Sequence, residues 1–286
     1  MAVVGLAPMA GYTDYSFRLL CRRCGADLAY TEMASAEALC RGNKRTSEII
    51  RTAKADRPLA IQLFGAAERS LVEAAGLVEK KADWIDLNAG CPSPDLTENG
   101  CGAALLRDKK KAAALVEALA FTGKKPVSVK MRLGWNKNDS LALCKAFDKA
   151  GVLRIAVHDR TAKQGYSGKA DWEAIAAVKR VVSCEVFGNG DLKDRADAEL
   201  KIGEYGLDGA LIGRAALGNP SVFGKRMDRK KAFLEWLRLA KPGLAKAKLQ
   251  AMAFSTGLAR AKQIRVGASK AESVAELERF WNLVNK

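Results

Sequence analysis

Three side chains of this chain combine a reactive type with a telling position: Cys91, Lys130 and His158. Cys91 lies in Asp86-Leu-Asn-Ala-Gly-Cys-Pro-Ser-Pro94, directly after the apolar stretch Asp83–Leu87 and before the glycine-rich Glu98–Leu106. A free cysteine is most often a small buried hydrophobe. Here Asn88, Gly90 and Pro92 specify a shaped polar loop instead. A thiol on such a loop can donate a proton, and no base stands beside it in sequence to make a thiolate nucleophile. Lys130 lies inside the apolar run Val127–Met131, where an ammonium with no opening to face would be costly. His158, the only histidine, ends another apolar run and opens the polar cluster His158-Asp-Arg-Thr161. A lone histidine is commonly a satisfied core residue, and the polar cluster is what favours a functional role.

The elements that must position these residues follow from the hydrophobic pattern. Apolar, often β-branched runs recur at Val3–Ala7, Leu28–Thr31, Leu59–Phe64, Trp84–Leu87, Val127–Met131, Arg154–Val157, Glu185–Phe187 and Ala210–Ile212. Runs of this length fit strands covered on both faces. Helix-period segments lie between them, clearest at 70–81, 109–121, 140–150, 172–182 and 195–205, with Gly123, Gly151 and Gly206 as candidate C-caps. Eight strand and helix alternations predict an α/β fold, a (β/α)8 TIM barrel, in preference to a doubly wound open sheet. After Pro220 the strand signals stop. Segments 227–241, 244–260 and 273–284 read as helices, with Pro242-Gly243 as a break. The expected division is a barrel over 1–224 and a small all-helical C-terminal domain over 225–286.

A barrel builds its active site at the C-terminal ends of its strands. Those ends carry Ala7-Pro8-Met9, Glu32, Gln62, Asn88 with Cys91, Lys130 with Arg132, His158 with Arg160, Asn189-Gly190-Asp191, and Gly213-Arg214. The last two groups are glycine-bearing turns before helix-like segments, the place where barrels often bind phosphate on backbone N–H groups.

Bulk properties narrow the function classes. The chain has 286 residues, 49% hydrophobic and 28% charged, enough for one large domain and a small one. Its seven cysteines are odd in number and follow no framework, and no signal peptide is expected, so reduced thiols in a cytoplasm are the natural reading. The longest uncharged apolar stretch, Ala2–Gly11, is too short to span a bilayer. The net charge is +16, and residues 225–286 hold 15 of the 48 Lys/Arg but only 5 of the 32 Asp/Glu. A basic tail on a nearly balanced body suggests a polyanion, nucleic acid before membrane. Dinucleotide and NTP glycine fingerprints are absent. Cys21-Arg-Arg-Cys24 has no second pair or nearby histidine, so no metal site is expected, and the two thiols read as half-buried helix residues. Oligomeric state leaves no mark on the sequence, and a monomer is assumed.

The strand-end residues resemble those of the tRNA-dihydrouridine synthases, FMN-dependent barrels that reduce uridine in tRNA. The resemblance runs from Leu6 to about Phe223. It rests on Ala7–Gly11, Gln62–Gly65, Leu87–Pro94, Gly100–Leu105, Val129–Arg132, Val157–Thr161, Gly188–Asp191 and Ile212–Arg214, in that order. Ala261–Arg265 and Ser273–Leu277 are similar to parts of the family's helical tRNA-binding domain. The resemblance implies that Cys91 is the general acid. It implies that Ala7, Pro8, Met9 and Gln62 hold the isoalloxazine, with Lys130 at its N1/C2 carbonyl edge and His158 against the flavin. Asn189, Gly190, Asp191, Gly213 and Arg214 would take the ribityl chain and phosphate. Asn88, Arg132 and Arg160 would face the uracil or the flavin. The implied reaction sends hydride from reduced flavin N5 to uracil C6 and a proton from Cys91 to C5, with NAD(P)H as a transient reductant. An FMN-dependent dihydroorotate or dihydropyrimidine dehydrogenase-like enzyme acting on a free pyrimidine is the alternative, and it leaves the basic tail without a role. An RNA-binding barrel without catalysis is a third, and intact Cys91, Lys130 and His158 argue against it.

Overall fold

Residues 2–284 are described by a computed structural model. The strands are β1 (Val3–Leu6), β2 (Ala29–Tyr30), β3 (Ala34–Ser35), β4 (Leu59–Phe64), β5 (Trp84–Ala89), β6 (Val127–Arg132), β7 (Arg154–His158), β8 (Glu185–Asn189) and β9 (Gly209–Ile212). Every pairing among them is parallel, and β1 pairs with both β2 and β9, which closes the sheet. β2 lies beside the start of β4 and β3 beside its end, so the two short pieces share one barrel position. The result is the eight-position (β/α)8 TIM barrel the apolar runs predict. Only the second run is broken, at 31–33.

The helices are α1 (Tyr15–Arg23), α2 (Ala36–Cys40), α3 (Lys44–Ile49), α4 (Glu68–Val78), α5 (Pro94–Thr97), α6 (Lys109–Thr122), α7 (Ser140–Lys149), α8 (Trp172–Lys179) and α9 (Arg195–Tyr205). Asp14, Asp108, Asp171 and Asp194 cap four of them through side-chain acceptors. Of the glycines expected to end helices, Gly206 is a left-handed cap and Gly151 has φ of 86°. Gly123 ends α6 in an extended conformation, φ −82° and ψ 144°, so any residue could adopt its backbone.

Strand side chains alternate between faces, and the inward set is layered. Leu28, Tyr30, Trp84, Phe187 and Leu211 form an apolar floor. Arg154 is held over the Trp84 and Phe187 rings, at 5.0 and 4.0 Å from their centres, and paired with Glu185. One step up each strand stand Gln62, Asp86, Ser128 and Asn189, and one step further Asn88 and Lys130, with Arg132 beyond Lys130 and His158 above Ala156. Register places Gln62 beside Asp86, Asp86 beside Ser128, Asn88 beside Lys130 and Arg132 beside His158.

The chain continues as α10 (Arg229–Ala240), α11 (Leu244–Ser255), α12 (Ala261–Lys270) and α13 (Val274–Val284). The segment expected as one helix over 244–260 ends at Ser255, and α12 follows as a separate helix the pattern did not resolve. These helices bury Phe233, Trp236, Phe254 and Trp281 in the same core as the barrel, with Phe254 edge-on to Phe17 of α1. Burial of side chains this large stabilises by about 1.5–3 kcal/mol each. Trp236 Nε1 donates to Asp14 at 3.1 Å, and a Cβ on Gly218 would come within 2.3 Å of α11 backbone. α11 also grips the loop after β1. Gln250 Nε2 donates to Tyr12 O at 3.1 Å, and Leu249 packs on Gly11. Lys246 bridges Asp14 at 2.9 Å and Glu32 at 3.5 Å, while Glu32 accepts from Gly11 N–H at 2.6 Å. Most Lys and Arg of this segment, among them Lys231, Arg238, Lys262, Arg265 and Lys270, remain exposed. Cys21 and Cys24 are both fully buried rather than half-buried, and burial raises both thiol pKa values. Among the described residues no helix is long and apolar enough to cross a membrane, and no group of three metal-ligating side chains stands together.

Candidate active site

A cavity of about 320 Å³ opens at the C-terminal ends of the strands, within the usual size range of small-molecule sites. Its lining includes Ala7, Pro8, Met9, Gln62, Asn88, Cys91, Lys130, Arg132, His158, Asn189, Gly190, Asp191, Gly213 and Arg214. The structure therefore brings together, on seven separate chain segments, every strand-end residue singled out from the sequence except Glu32 and Arg160.

Cys91 sits half-buried on the loop after β5. Asn88 Oδ1 accepts from both Gly90 N–H at 3.1 Å and Cys91 N–H at 3.0 Å, while Cys91 O accepts from Ala103 N–H at 2.9 Å. Gly102 must be glycine here: its φ is 60° and a Cβ would meet Cys91 O at 2.6 Å. The thiol is thus carried on a backbone fixed from both sides.

Lys130 Nζ donates to Asn189 Oδ1 at 2.9 Å, and Asn189 Nδ2 donates to Leu211 O at 2.6 Å. Burial, reinforced by Arg132, lowers the Lys130 pKa to about 8. His158 is 9% exposed, and its Nδ1 lies 3.2 Å from Asp159 Oδ1 without hydrogen-bond geometry. Burial first, and then the charges of Lys130, Arg132, Arg160 and Arg214, lower its pKa to about 2. It is a neutral imidazole in a strongly cationic mouth.

Arg132 is committed to the scaffold. Its Nε donates to Gly90 O at 3.0 Å and its Nη1 to Thr161 O and Gly165 O at 3.0 and 2.7 Å. Arg160, 2% exposed, lies outside the cavity lining. Its guanidinium donates to Asp159 at 2.8 Å, Asp191 at 2.5 Å, Ser167 O at 3.1 Å and Gly168 O at 2.9 Å. It pins the loop after β7 to the turn after β8. The same loop brings Tyr166 to the mouth, edge-on to His158 at 6.1 Å and beneath the Arg214 guanidinium at 4.2 Å. Tyr166 lies eight positions past its strand end, so strand-end reasoning did not find it. Met33 and Tyr12 also line the cavity and were missed, one from the break in the second strand and one from the loop held by α11.

The turn after β8 is shaped for an anion. Gly190 has φ of 137°, and a Cβ there would overlap the Asp159 carboxylate at 2.0 Å. Asp191 follows at φ 47°, bridging Arg160 and Arg214. Among the described residues, Gly190, Asp191 and Leu192 N–H donate to no backbone carbonyl. Unspent N–H groups beside Arg214 form a phosphate-compatible cradle.

These features define an enzyme of the TIM-barrel class with a cationic, half-enclosed site at the strand ends and one thiol on its wall. Residues 5–278 match the family model described as dihydrouridine synthase. The chain belongs to the dihydrouridine synthase family and is an oxidoreductase. It is 42% identical over 224 residues to a probable tRNA-dihydrouridine synthase of Aquifex aeolicus, covering 76% of this chain and 70% of that protein. It is 40% identical over 222 residues to tRNA-dihydrouridine synthase B of Pseudomonas aeruginosa, covering 76% and 67%. An old yellow enzyme homologue from Zymomonas mobilis shares the fold, with TM-score 0.52, 13% identity and coverage of 77% and 86%.

Proposed function

We propose that this protein reduces uridine to 5,6-dihydrouridine in tRNA, with FMN in the barrel mouth and NAD(P)H as the reductant that docks transiently. The observation that carries the proposal is the placement of Cys91 in the same cavity as Lys130, His158 and the Gly190 turn. The cavity fits a flavin mononucleotide on three counts. His158 presents a neutral imidazole on the cavity lining, with its Nδ1 3.2 Å from Asp159 Oδ1. The Gly190–Leu192 N–H groups and Arg214 suit a phosphate. Lys130 brings a positive charge to the base of the cavity.

When bound, FMN supplies the hydride that reduces the uracil 5,6 double bond. The chain's own residues do the rest. Ala7, Pro8, Met9 and Gln62 hold the ring system on one side. Lys130, oriented by Asn189, offsets negative charge that an anionic ring would bring. Gly213 and Arg214 close the phosphate end. Cys91 holds a proton at Sγ for delivery to uracil C5, and Asn88 fixes the loop that aims it. Tyr166 and Arg132 line the cavity that the base enters. A uridine stacked in folded RNA must be extruded to reach this depth, costing a few kcal/mol. The exposed Lys and Arg of α10–α13 offset that cost by contacting phosphates.

The test is Cys91→Ala assayed for dihydrouridine in tRNA by mass spectrometry. Dihydrouridine formation should fall by at least ~10²-fold while FMN stays bound. Full activity of the FMN-loaded variant overturns the role of Cys91. A protein that takes up no FMN overturns the proposal as a whole.

A further inference from the structure

Asp86 is fully buried inside the barrel, below the cavity and absent from its lining. Its carboxylate starts a continuous chain of hydrogen bonds. Gln62 Nε2 donates to Asp86 Oδ2 at 2.8 Å. Asn88 Nδ2 donates to Gln62 Oε1 at 2.9 Å. Asn88 Oδ1 then accepts from Gly90 N–H at 3.1 Å and Cys91 N–H at 3.0 Å. Ser128 donates to the other Asp86 oxygen, Oδ1.

We propose that Asp86 is a positioning residue whose carboxylate sets the orientation of both the Gln62 and Asn88 amides and thereby fixes the loop that carries Cys91. The argument is one of polarity. An ionised carboxylate can only accept, whereas an amide offers a donor end and an acceptor end. Asp86 therefore forces the Gln62 NH2 inward. That turns Oε1 toward Asn88, which must answer with its own NH2, leaving Asn88 Oδ1 for the two loop N–H groups. Reversing any link would set acceptor against acceptor at one end of an amide and donor against donor at the other, at the cost of unsatisfied buried groups. The arrangement also settles what the cavity offers its occupant. Gln62 keeps one amide N–H, whereas Asn88 donates its second to Met33 Sδ at 3.6 Å. The groups around Asp86 are Ser128, Gln62, Lys130, Arg154 and Tyr30. Burial raises the Asp86 pKa to about 6, the Ser128 and Gln62 hydrogen bonds and the Lys130 and Arg154 charges hold it down, and the group remains an anion at neutral pH.

The inference rests on the proposed role of Cys91 for its catalytic meaning but not for its test. The test is amide hydrogen exchange at Gly90 and Cys91 in the apoprotein at pH 7.5. Asp86→Asn keeps the shape but can present a donor to Gln62, so it releases the polarity. Exchange at Gly90 and Cys91 should accelerate by about tenfold, the loss of a single hydrogen bond, while amides of β7 and β8 keep their protection. Gln62→Leu cuts the chain in its middle and should give the same acceleration, with no further increase in the double variant. Ser128→Ala, which touches only the other oxygen, should leave the loop protected. Unchanged exchange at Gly90 and Cys91 in Gln62→Leu, or in a folded Asp86→Asn, overturns the inference. This outcome is independent of whether tRNA is the substrate, because no ligand or turnover enters the measurement.

Discussion

Lys130 and Asn189 meet across the barrel mouth, ammonium to amide oxygen at 2.9 Å, from strands two positions apart. The amide's other end is spent on Leu211 O, so Asn189 can present only its oxygen and the ammonium is held in one place. With its pKa lowered to about 8, Lys130 is charged below that pH and neutral above it. Affinity for an anionic ligand should therefore fall as pH rises through about 8. Lys130→Met should weaken FMN binding by roughly 10–100-fold at pH 7, the range of a lost charged hydrogen bond, and flatten the profile. Flavin fluorescence titrations from pH 6.5 to 9.5 check both, and an identical pH profile in the variant sinks the assignment.

Arg160 separates a scaffold role from a ligand-facing one. Four of its donor N–H groups are spent on Asp159, Asp191 and two loop carbonyls. Arg160→Met leaves Asp159 buried without its cation and should cost roughly 3–5 kcal/mol in denaturant unfolding. The KM for tRNA of the FMN-loaded variant should stay close to the parent value. A stable Arg160→Met with a strongly raised KM would show instead that the side chain meets substrate.

Gly190→Ala is expected to fail for two independent reasons, a φ of 137° and a Cβ placed 2.0 Å from Asp159 Oδ2. The turn must move, so FMN retention through gel filtration should be lost. Stability should drop by about 2 kcal/mol or more. Wild-type retention of the cofactor would disprove the cradle.

His158 gives a pH signature in the apoprotein. The folded state keeps the ring neutral down to about pH 2, whereas the unfolded chain protonates it below ~6.5. Between those values the unfolded state binds the extra proton, so this contribution to stability is lost as pH falls below ~6.5. His158→Asn removes it. The stability gap between variant and parent should move in the variant's favour by up to ~1.4 kcal/mol per pH unit below about 6. Urea unfolding at pH 7 and 5 measures it, and a constant gap refutes it.

The parts of the site that were legible in the sequence share one property. Gln62, Asn88, Lys130, His158 and Asn189 are polar residues at the last inward positions of strands, where an apolar run must end and a ligand can begin. Asp86 has the same alternation but lies one layer deeper, within the run Trp84–Leu87, and its meaning depends on Gln62 and Ser128 in strands paired on either side. Tyr166 depends on a loop path held by Arg132 and Arg160 through backbone carbonyls, which no side-chain pattern records. Arg160 and His158 stand two positions apart at one strand end, and the guanidinium is consumed by Asp159, Asp191 and two loop carbonyls that strand spacing does not record. The barrel itself was readable because each strand is a separate apolar signal. The start of α12 was not, because the stretch between Ser255 and Ala261 carries one glycine, no proline and an unbroken helical composition.

The grip of α11 on the loop after β1 carries a thermodynamic consequence. Lys246, Leu249 and Gln250 all bear on the segment that supplies Pro8, Met9 and Tyr12 to the cavity wall. A polyanion that displaces α11 on binding the basic helices must change the free energy of filling the cavity, and filling the cavity must change polyanion affinity by the same factor. On the proposed function, the four terminal helices and the barrel mouth would then act as one energetic unit, with cofactor loading and RNA binding coupled.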